Sequence, residues 1–135
     1  MFANMMILLL RLTKSKTLPV LWFTLILILL CIPGFTLPKS KLLSGIELDK
    51  FIHIILFFLL VLFWNAHYTQ KNPGLQFLIN TFFMIFLLTA AWGILMEFVQ
   101  FYFIPMRDFD VADIAADLVG CSLGYGFSNV YFLKK

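Results

Sequence analysis

The chain has 135 residues, of which 62% are hydrophobic and 13% charged, and its formal net charge is +3. Soluble domains average about 45–50% apolar and about 25% charged residues, so this composition excludes an ordinary water-soluble domain. The basic residues flank hydrophobic segments instead of forming a stripe, which argues against nucleic-acid binding. Cys31 and Cys121 lie in apolar segments without the spacing of a metal site. We interpret them as packing residues, with a disulfide as the alternative.

Residues 1–16 predict a segment that lies on the membrane surface. The apolar stretch before Arg11 is too short to cross a bilayer, and Lys14 and Lys16 follow closely. We therefore expect a short amphipathic interfacial helix on the cytoplasmic side. A cleaved signal peptide is the alternative, although no small-x-small cleavage site follows the next apolar run.

Residues 17–135 predict an all-α membrane domain of four transmembrane helices in a compact bundle. The expected spans cover about 18–32, 49–68, 75–103 and 110–132. A loop over 33–48, rich in proline, glycine and serine, separates the first two. Lysine and arginine are moderately more frequent in the segments that this topology places inside, so we expect both termini in the cytoplasm.

Polar side chains recur at the same end of three predicted spans, the end expected to face outward. Their spacings of three, four and seven place them on one face of each helix. Because an ionised carboxylate in a membrane needs a partner or a proton, we expect Arg107 to bridge two carboxylates and Lys50 and protonated His53 to offset others. The acids outnumber the cations, so protonation, hydration or a bound cation remains open. The predicted cluster comprises Asp49, Lys50, His53, Glu97, Gln100, Arg107, Asp110, Asp113 and Asp117.

Structural interpretations compete with a chemical site. Asp49 and Asp110 can cap helices, and His53 can be a hydrogen-bonded packing residue. Gln100 can join helices, and an acid–arginine network can serve only to specify packing. Uncharged side chains would join helices at lower cost, so the acids hardest to explain in this way are Glu97, Asp113 and Asp117.

Small residues repeat every fourth position along the fourth predicted span. This small-xxx-small pattern allows close approach of two helices. Since the aspartates of the same span must also face inward, we expect packing within the fold in preference to dimerisation. The predicted helix-packing residues are Ala112, Ala116, Gly120 and Gly124.

Four elements in order resemble the VanZ-like family of small bacterial membrane proteins. They are Ile32-Pro33-Gly34 with Leu37-Pro38, DKFIH at 49–53, ME-x-x-Q carrying Glu97 and Gln100, and R-x-x-D-x-x-D-x-x-x-D-x-x-G-x-x-x-G from Arg107 to Gly124. The resemblance covers most of the chain after residue 18 and departs from the family pattern at Asp117, where asparagine is expected. It implies a multi-pass protein of the bacterial cytoplasmic membrane that serves the cell envelope. It also implies a family association with low-level resistance to the glycopeptide teicoplanin, and no known reaction.

Two functional hypotheses follow, and the sequence does not decide whether the protein is an enzyme. In the first, a non-enzymatic envelope accessory binds an envelope lipid, a glycan precursor or another membrane protein through the cluster. In the second, an intramembrane enzyme acts on an envelope lipid or isoprenoid-linked substrate by acid/base chemistry. Its catalytic candidates are Glu97, Asp113 and His53, and Arg107 would hold a phosphate or carboxylate.

A metal-binding protein and a transporter are functional classes that the sequence supports less well. A hard divalent metal could bind through His53, Glu97, Asp113 and Asp117, but we expect no cofactor. A transporter is disfavoured because four spans leave little room for an alternating-access pathway and no inverted repeat is visible.

Overall fold

The computed structural model describes residues 2–33, 41–43, 46–71 and 73–134. Within them lie the helices α1 (Phe2–Leu12), α2 (Thr17–Leu30), α3 (Leu48–Thr69), α4 (Leu75–Phe103) and α5 (Val111–Phe132). A short antiparallel hairpin of β1 (Lys41–Leu43) and β2 (Ile46–Glu47) precedes α3. The predicted all-α class is therefore confirmed apart from this hairpin. Most of the loop predicted over 33–48 lies outside the described residues.

The number of membrane-spanning helices differs from the prediction of four. Among the described residues, only α3 and α4 are long and apolar enough to cross a membrane. Helix α2 has 14 residues, or about 21 Å at 1.5 Å per residue, against a hydrocarbon core of about 30 Å. Helices α1 and α2 are long and apolar enough to cross a membrane only if they are taken together, and the pair is bent by 84°. Helix α5 is not apolar enough because two aspartates, an asparagine and several glycines, serines and tyrosines lower its mean hydropathy.

Helices α3 and α5 run parallel and in direct contact. Lys50 of α3 contacts Asp113 of α5, and Ile54, one turn later in α3, lies next to Gly120, two turns later in α5. Residue numbers therefore increase in the same direction along both helices. A Cβ at Gly120 would overlap the Ile54 carbonyl group, and one at Gly124 would lie 2.8 Å from the carbonyl oxygen of Phe58. The small-residue pattern therefore serves packing within the chain.

The four residues of this pattern do not contribute equally. Ala116, Gly120 and Gly124 are buried, whereas Ala112 is exposed in the first turn of α5. Ala112 is therefore not part of the packing face, and the prediction for it is wrong.

Polar contacts join α2 to α3 and α4. The Trp22 indole donates a hydrogen bond to the Leu56 carbonyl oxygen on α3 at 3.1 Å. The Gln100 amide of α4 donates to the Leu30 carbonyl oxygen at 2.8 Å. That carbonyl belongs to the last turn of α2, where helical partners run out, so Gln100 replaces a missing backbone donor. Gln100 thus joins two helices, one of the roles expected from the sequence.

Charge is segregated between the two ends of the bundle. All seven acidic residues of the chain lie in β2 or the first turn of α3, near the end of α4, or between Asp108 and Asp117. We call this the acidic end. The opposite, basic end contains the end of α3, the start of α4, the end of α5 and helix α1. An apolar cluster that includes Leu62, Phe82 and Phe132 joins these elements.

Replacing Gly120 with alanine is expected to destabilise the protein. The added methyl group would overlap the α3 backbone, at a cost of about 1–3 kcal/mol for overpacking. Alanine also favours a helix over glycine by about 1 kcal/mol, so Gly126→Ala is the matched control, since its Cβ would meet nothing within 4 Å. Melting of the detergent-solubilised protein should fall for G120A and stay level or rise for G126A. Equal melting of both variants would contradict the close helix contact.

Candidate functional site

The Lys50 ammonium group lies at the centre of the acidic end. Its Nζ is 2.5 Å from Asp110 Oδ2 and 2.5 Å from Asp113 Oδ1, and 3.5 Å from Asp49 Oδ2. The Asp113 contact is an ion pair without good hydrogen-bond alignment, whereas the Asp110 contact is also a hydrogen bond. One cation of α3 therefore neutralises carboxylates on α3 and on α5. Since the Lys50 side chain is only 17% exposed, these charges interact with little screening by water.

A buried histidine–aspartate pair lies one turn deeper. His53 Nδ1 is 2.8 Å from Asp117 Oδ1, and both side chains are almost completely buried. When Asp117 is ionised and the imidazole is neutral, Asp117 accepts the Nδ1 hydrogen, which orients the ring and leaves the free lone pair on Nε2. That Nε2 lies 4.0 Å from Asp49 Oδ1, on the side of the lysine cluster. The arrangement provides an oriented imidazole, as general acid/base chemistry or metal binding requires.

Glu97 connects α4 to the start of α5. Its Oε1 accepts a hydrogen bond of 2.6 Å from the backbone N–H of Asp110, and the residue is buried. This N–H would otherwise lack a partner at the helix start. The contact gives Glu97 a structural role, through a hydrogen bond that the sequence did not predict.

Asp110 caps α5, as the sequence suggested. Its Oδ1 accepts a hydrogen bond of 2.8 Å from the Ala112 N–H, while Oδ2 contacts Lys50. The Lys50 hydrogen bond is the main cause that lowers the pKa of Asp110 below its usual value, and the cap acts in the same direction. Asp110 therefore stays ionised at neutral pH and keeps a negative charge next to the positive end of the helix dipole.

Among the described residues, Arg107 forms no ion pair with a carboxylate, contrary to the predicted bridge. Its Nε is buried and has no hydrogen-bond partner among the described residues. The loop that carries it turns through Met106, whose φ of 60° lies in the left-handed region. Lys50 takes the expected bridging position instead, because α3 and α5 pack directly against each other. Arg107 is thus a guanidinium group at the acidic end whose Nε hydrogen is still available.

The carboxylates closest to His53 differ from the metal set predicted from the sequence. Ligand atoms of Asp49, His53 and Asp113 lie within 4.8 Å of one another. Glu97 is occupied by the Asp110 N–H, and Asp117 binds the opposite nitrogen of His53. Because Lys50 contacts the same carboxylates, a divalent metal would have to displace its ammonium group.

The sequence did not predict a second group of polar contacts, at the basic end. His67 Nδ1 lies 2.9 Å from the Thr13 carbonyl oxygen, and Gln70 Nε2 donates to Thr13 Oγ1 at 2.9 Å. The three-residue spacing of His67 and Gln70, which places both on one helix face, was the available signal. Asn65 is also buried there, and neither of its amide atoms has a hydrogen-bond partner among the described residues.

No protein-family model, curated protein or solved structure matches the chain.

Removing the Lys50 charge is expected to destabilise the acidic end. Breaking a buried ion pair costs about 3–5 kcal/mol, and the partial exposure of Lys50 should reduce this cost. Lys50→Gln should therefore lower the melting temperature, and adding Asp113→Asn should restore part of the loss because one unpaired carboxylate disappears. Lys134→Gln, which removes an exposed cation from the other end, is the control. Additive effects of K50Q and D113N would contradict the pairing.

The hydrogen bond that Glu97 accepts from the Asp110 N–H predicts different effects for two substitutions of Glu97. Glu97→Gln keeps an oxygen that accepts the Asp110 N–H, so its stability should stay near that of the original protein. Glu97→Ala removes the acceptor and should cost about 1–3 kcal/mol, because a buried N–H loses its partner. Thermal melting in detergent distinguishes the two, and equal losses in both would show that the charge matters more than the hydrogen bond.

Proposed function

We propose that the protein is a VanZ-like multi-pass protein of the bacterial cytoplasmic membrane whose acidic end faces outward and binds the headgroup of an envelope lipid or glycan precursor. The supporting observation is that residues from all the elements carrying the VanZ-like motifs DKFIH, ME-x-x-Q and R-x-x-D meet in one polar cluster. An apolar helix bundle could fold without bringing the polar residues of these three motifs together. It favours a function located at the cluster.

The charge segregation supports this orientation. Cytoplasmic segments of membrane proteins are enriched in lysine and arginine, and the basic end carries Arg11, Lys14, Lys16 and Lys71. With this end inside, the acidic cluster lies at the outer face.

Helices α2 and α5 complete the membrane domain in this proposal, although neither qualifies as a span by length and hydropathy. The acids of α5 face α3, while Val119, Leu123 and Val130 of α5 are exposed. Leu21 and Ile28 of α2 are exposed in the same way. Such surfaces are stable next to lipid and costly in water. Four helices of the bundle would then contact the hydrocarbon.

The ligand class follows from the groups at the cluster. The side-chain oxygens of Asp49 and Asp113 can accept hydrogen bonds, which suits the hydroxyl groups of a glycan or glycerol headgroup. The Arg107 guanidinium group is a donor that suits a phosphate, and its buried Nε has no hydrogen-bond partner among the described residues. A headgroup that combines hydroxyl groups with phosphate satisfies both. The bound species would make contacts from α3, the α4–α5 loop and α5.

The second candidate function is an intramembrane acid/base enzyme, and the His53–Asp117 pair favours it. Asp117 orients the imidazole, and His53 Nε2 points toward the side where Asp49 and Asp113 lie. A substrate hydroxyl next to Nε2 would give its proton to His53 as general base. Glu97, a catalytic candidate from the sequence, is less suitable because it holds the Asp110 N–H.

Asp113→Asn is expected to abolish function while the protein still accumulates in the membrane. Asparagine has the same shape, but it removes the charge between α3 and α5. In a bacterial strain that lacks its own copy, D113N should be as sensitive to teicoplanin as the empty strain. The matched control is Asp108→Asn, which makes the same change in an exposed residue of the neighbouring loop. Full activity of D113N at normal abundance would refute a function at the cluster.

His53→Gln separates the two candidate functions. Glutamine can keep a hydrogen bond to Asp117 but cannot transfer a proton at neutral pH. Headgroup binding predicts that H53Q retains teicoplanin resistance, whereas an acid/base enzyme predicts its loss at unchanged membrane abundance. Immunoblots of the membrane fraction provide the abundance measurement.

A further inference from the structure

The basic end of the bundle exposes cations from two separate parts of the chain. Arg11, Lys14 and Lys16 lie in or just after α1, and Lys71 follows the end of α3; all four residues are exposed. No aspartate or glutamate belongs to the described residues of this end. The local field is therefore positive without compensation from neighbouring acids, in contrast to the acidic end.

The contacts around Thr13 hold these cations together. The Thr13 backbone oxygen faces His67 Nδ1 at 2.9 Å, and its hydroxyl oxygen accepts a hydrogen bond from Gln70. Thr13 is completely buried, so both contacts are shielded from water. Since Thr13 precedes Lys14 and Gln70 precedes Lys71, this junction places cations of the N-terminal segment beside the α3–α4 turn.

Helix α1 has one side packed on the bundle and another side exposed. Met6, Leu9 and Leu10 pack against the apolar cluster that contains Phe132. Other large apolar residues of α1 are exposed to between 51% and 57%; they are Met5, Ile7, Leu8 and Leu12. The segment Asn4–Leu12 makes an angle of 84° with α2. If α2 runs along the membrane normal, α1 therefore lies nearly in the plane of the membrane.

A shallow groove of about 390 Å³ runs along this exposed side. It is lined by Asn4, Ile7, Leu8 and Arg11. Apolar walls next to a guanidinium group match the two parts of a phospholipid, the acyl chain and the charged headgroup.

We propose that α1, the turn that follows it and Lys71 form a docking surface for anionic phospholipids of the inner leaflet. The exposed apolar residues of α1 enter the boundary between headgroups and acyl chains, and Arg11, Lys14, Lys16 and Lys71 bind the phosphates. Charge complementarity selects anionic over zwitterionic lipids, because each lysine or arginine near an anionic surface contributes about 1 kcal/mol, or about fivefold in affinity. The contacts of Thr13 with His67 and Gln70 hold the end of α1 against the end of α3, so the surface is a fixed part of the bundle. This proposal does not depend on the ligand of the acidic end.

The test measures lipid binding to the full-length protein in a non-ionic detergent. Dioleoylphosphatidylglycerol and dioleoylphosphatidylcholine are titrated separately, and lipid adducts are counted by native mass spectrometry. We expect phosphatidylglycerol to bind more tightly and to raise the melting temperature more than phosphatidylcholine. Equal binding of the two lipids by the unaltered protein would overturn the proposal without any variant being required. Displacement of phosphatidylglycerol by millimolar inorganic phosphate would also overturn it, because the surface would then be a simple anion site.

Charge removal locates the preference on α1. A triple variant with Arg11→Gln, Lys14→Gln and Lys16→Gln should lose about fivefold in phosphatidylglycerol affinity per cation removed, with phosphatidylcholine binding unchanged. Lys134→Gln is the control, since it removes an exposed cation of the same end that lies outside α1 and the α3–α4 turn. An unchanged lipid preference in the triple variant, or an equal loss in K134Q, would overturn the assignment to α1.

Discussion

The contact between α3 and α5 carries both the packing and the chemistry of this protein. Gly120 and Gly124 allow the two backbones to approach, and this approach brings Lys50 and His53 of α3 onto Asp113 and Asp117 of α5. Without the small residues the helices would separate, and the carboxylates would lose their cations. Without the cations, buried carboxylates would oppose the same close contact. Each feature therefore needs the other.

Segregated charge is the second constraint on the molecule. Acids concentrate at one end, where Lys50 and His53 offset part of their charge, while the opposite end carries exposed cations and no described acid. The two ends accordingly suit different ligands. The acidic end offers carboxylates and partly desolvated donors to a hydroxyl- and phosphate-bearing headgroup, whereas the basic end presents separate point charges beside an apolar helix face. Both proposals place lipid headgroups at the ends of a bundle whose middle is apolar.

Several features of the fold follow from the sequence because they depend on local patterns. Apolar runs bounded by proline and glycine predicted helices close to α2, α3, α4 and α5, and the spacing in DKFIH and ME-x-x-Q placed polar residues on common faces. The number of spanning helices did not follow, because the prediction treated every long apolar run as a span. The 14-residue length of α2 and the polar composition of α5 separate them from α3 and α4.

The sequence by itself determined that the acids of the start of α3, the end of α4 and the start of α5 share one end of the bundle. Helix periodicity and chain reversal at each turn are sufficient for that conclusion. Only the tertiary structure decided which groups pair: Lys50 instead of Arg107 bridges the carboxylates, and Glu97 binds the Asp110 N–H. Partner choice depends on the rotation and depth of each helix, which the close contacts of Gly120 and Gly124 with α3 help to set. Sequence spacing specifies a face of one helix, but not the face of the neighbour that it meets.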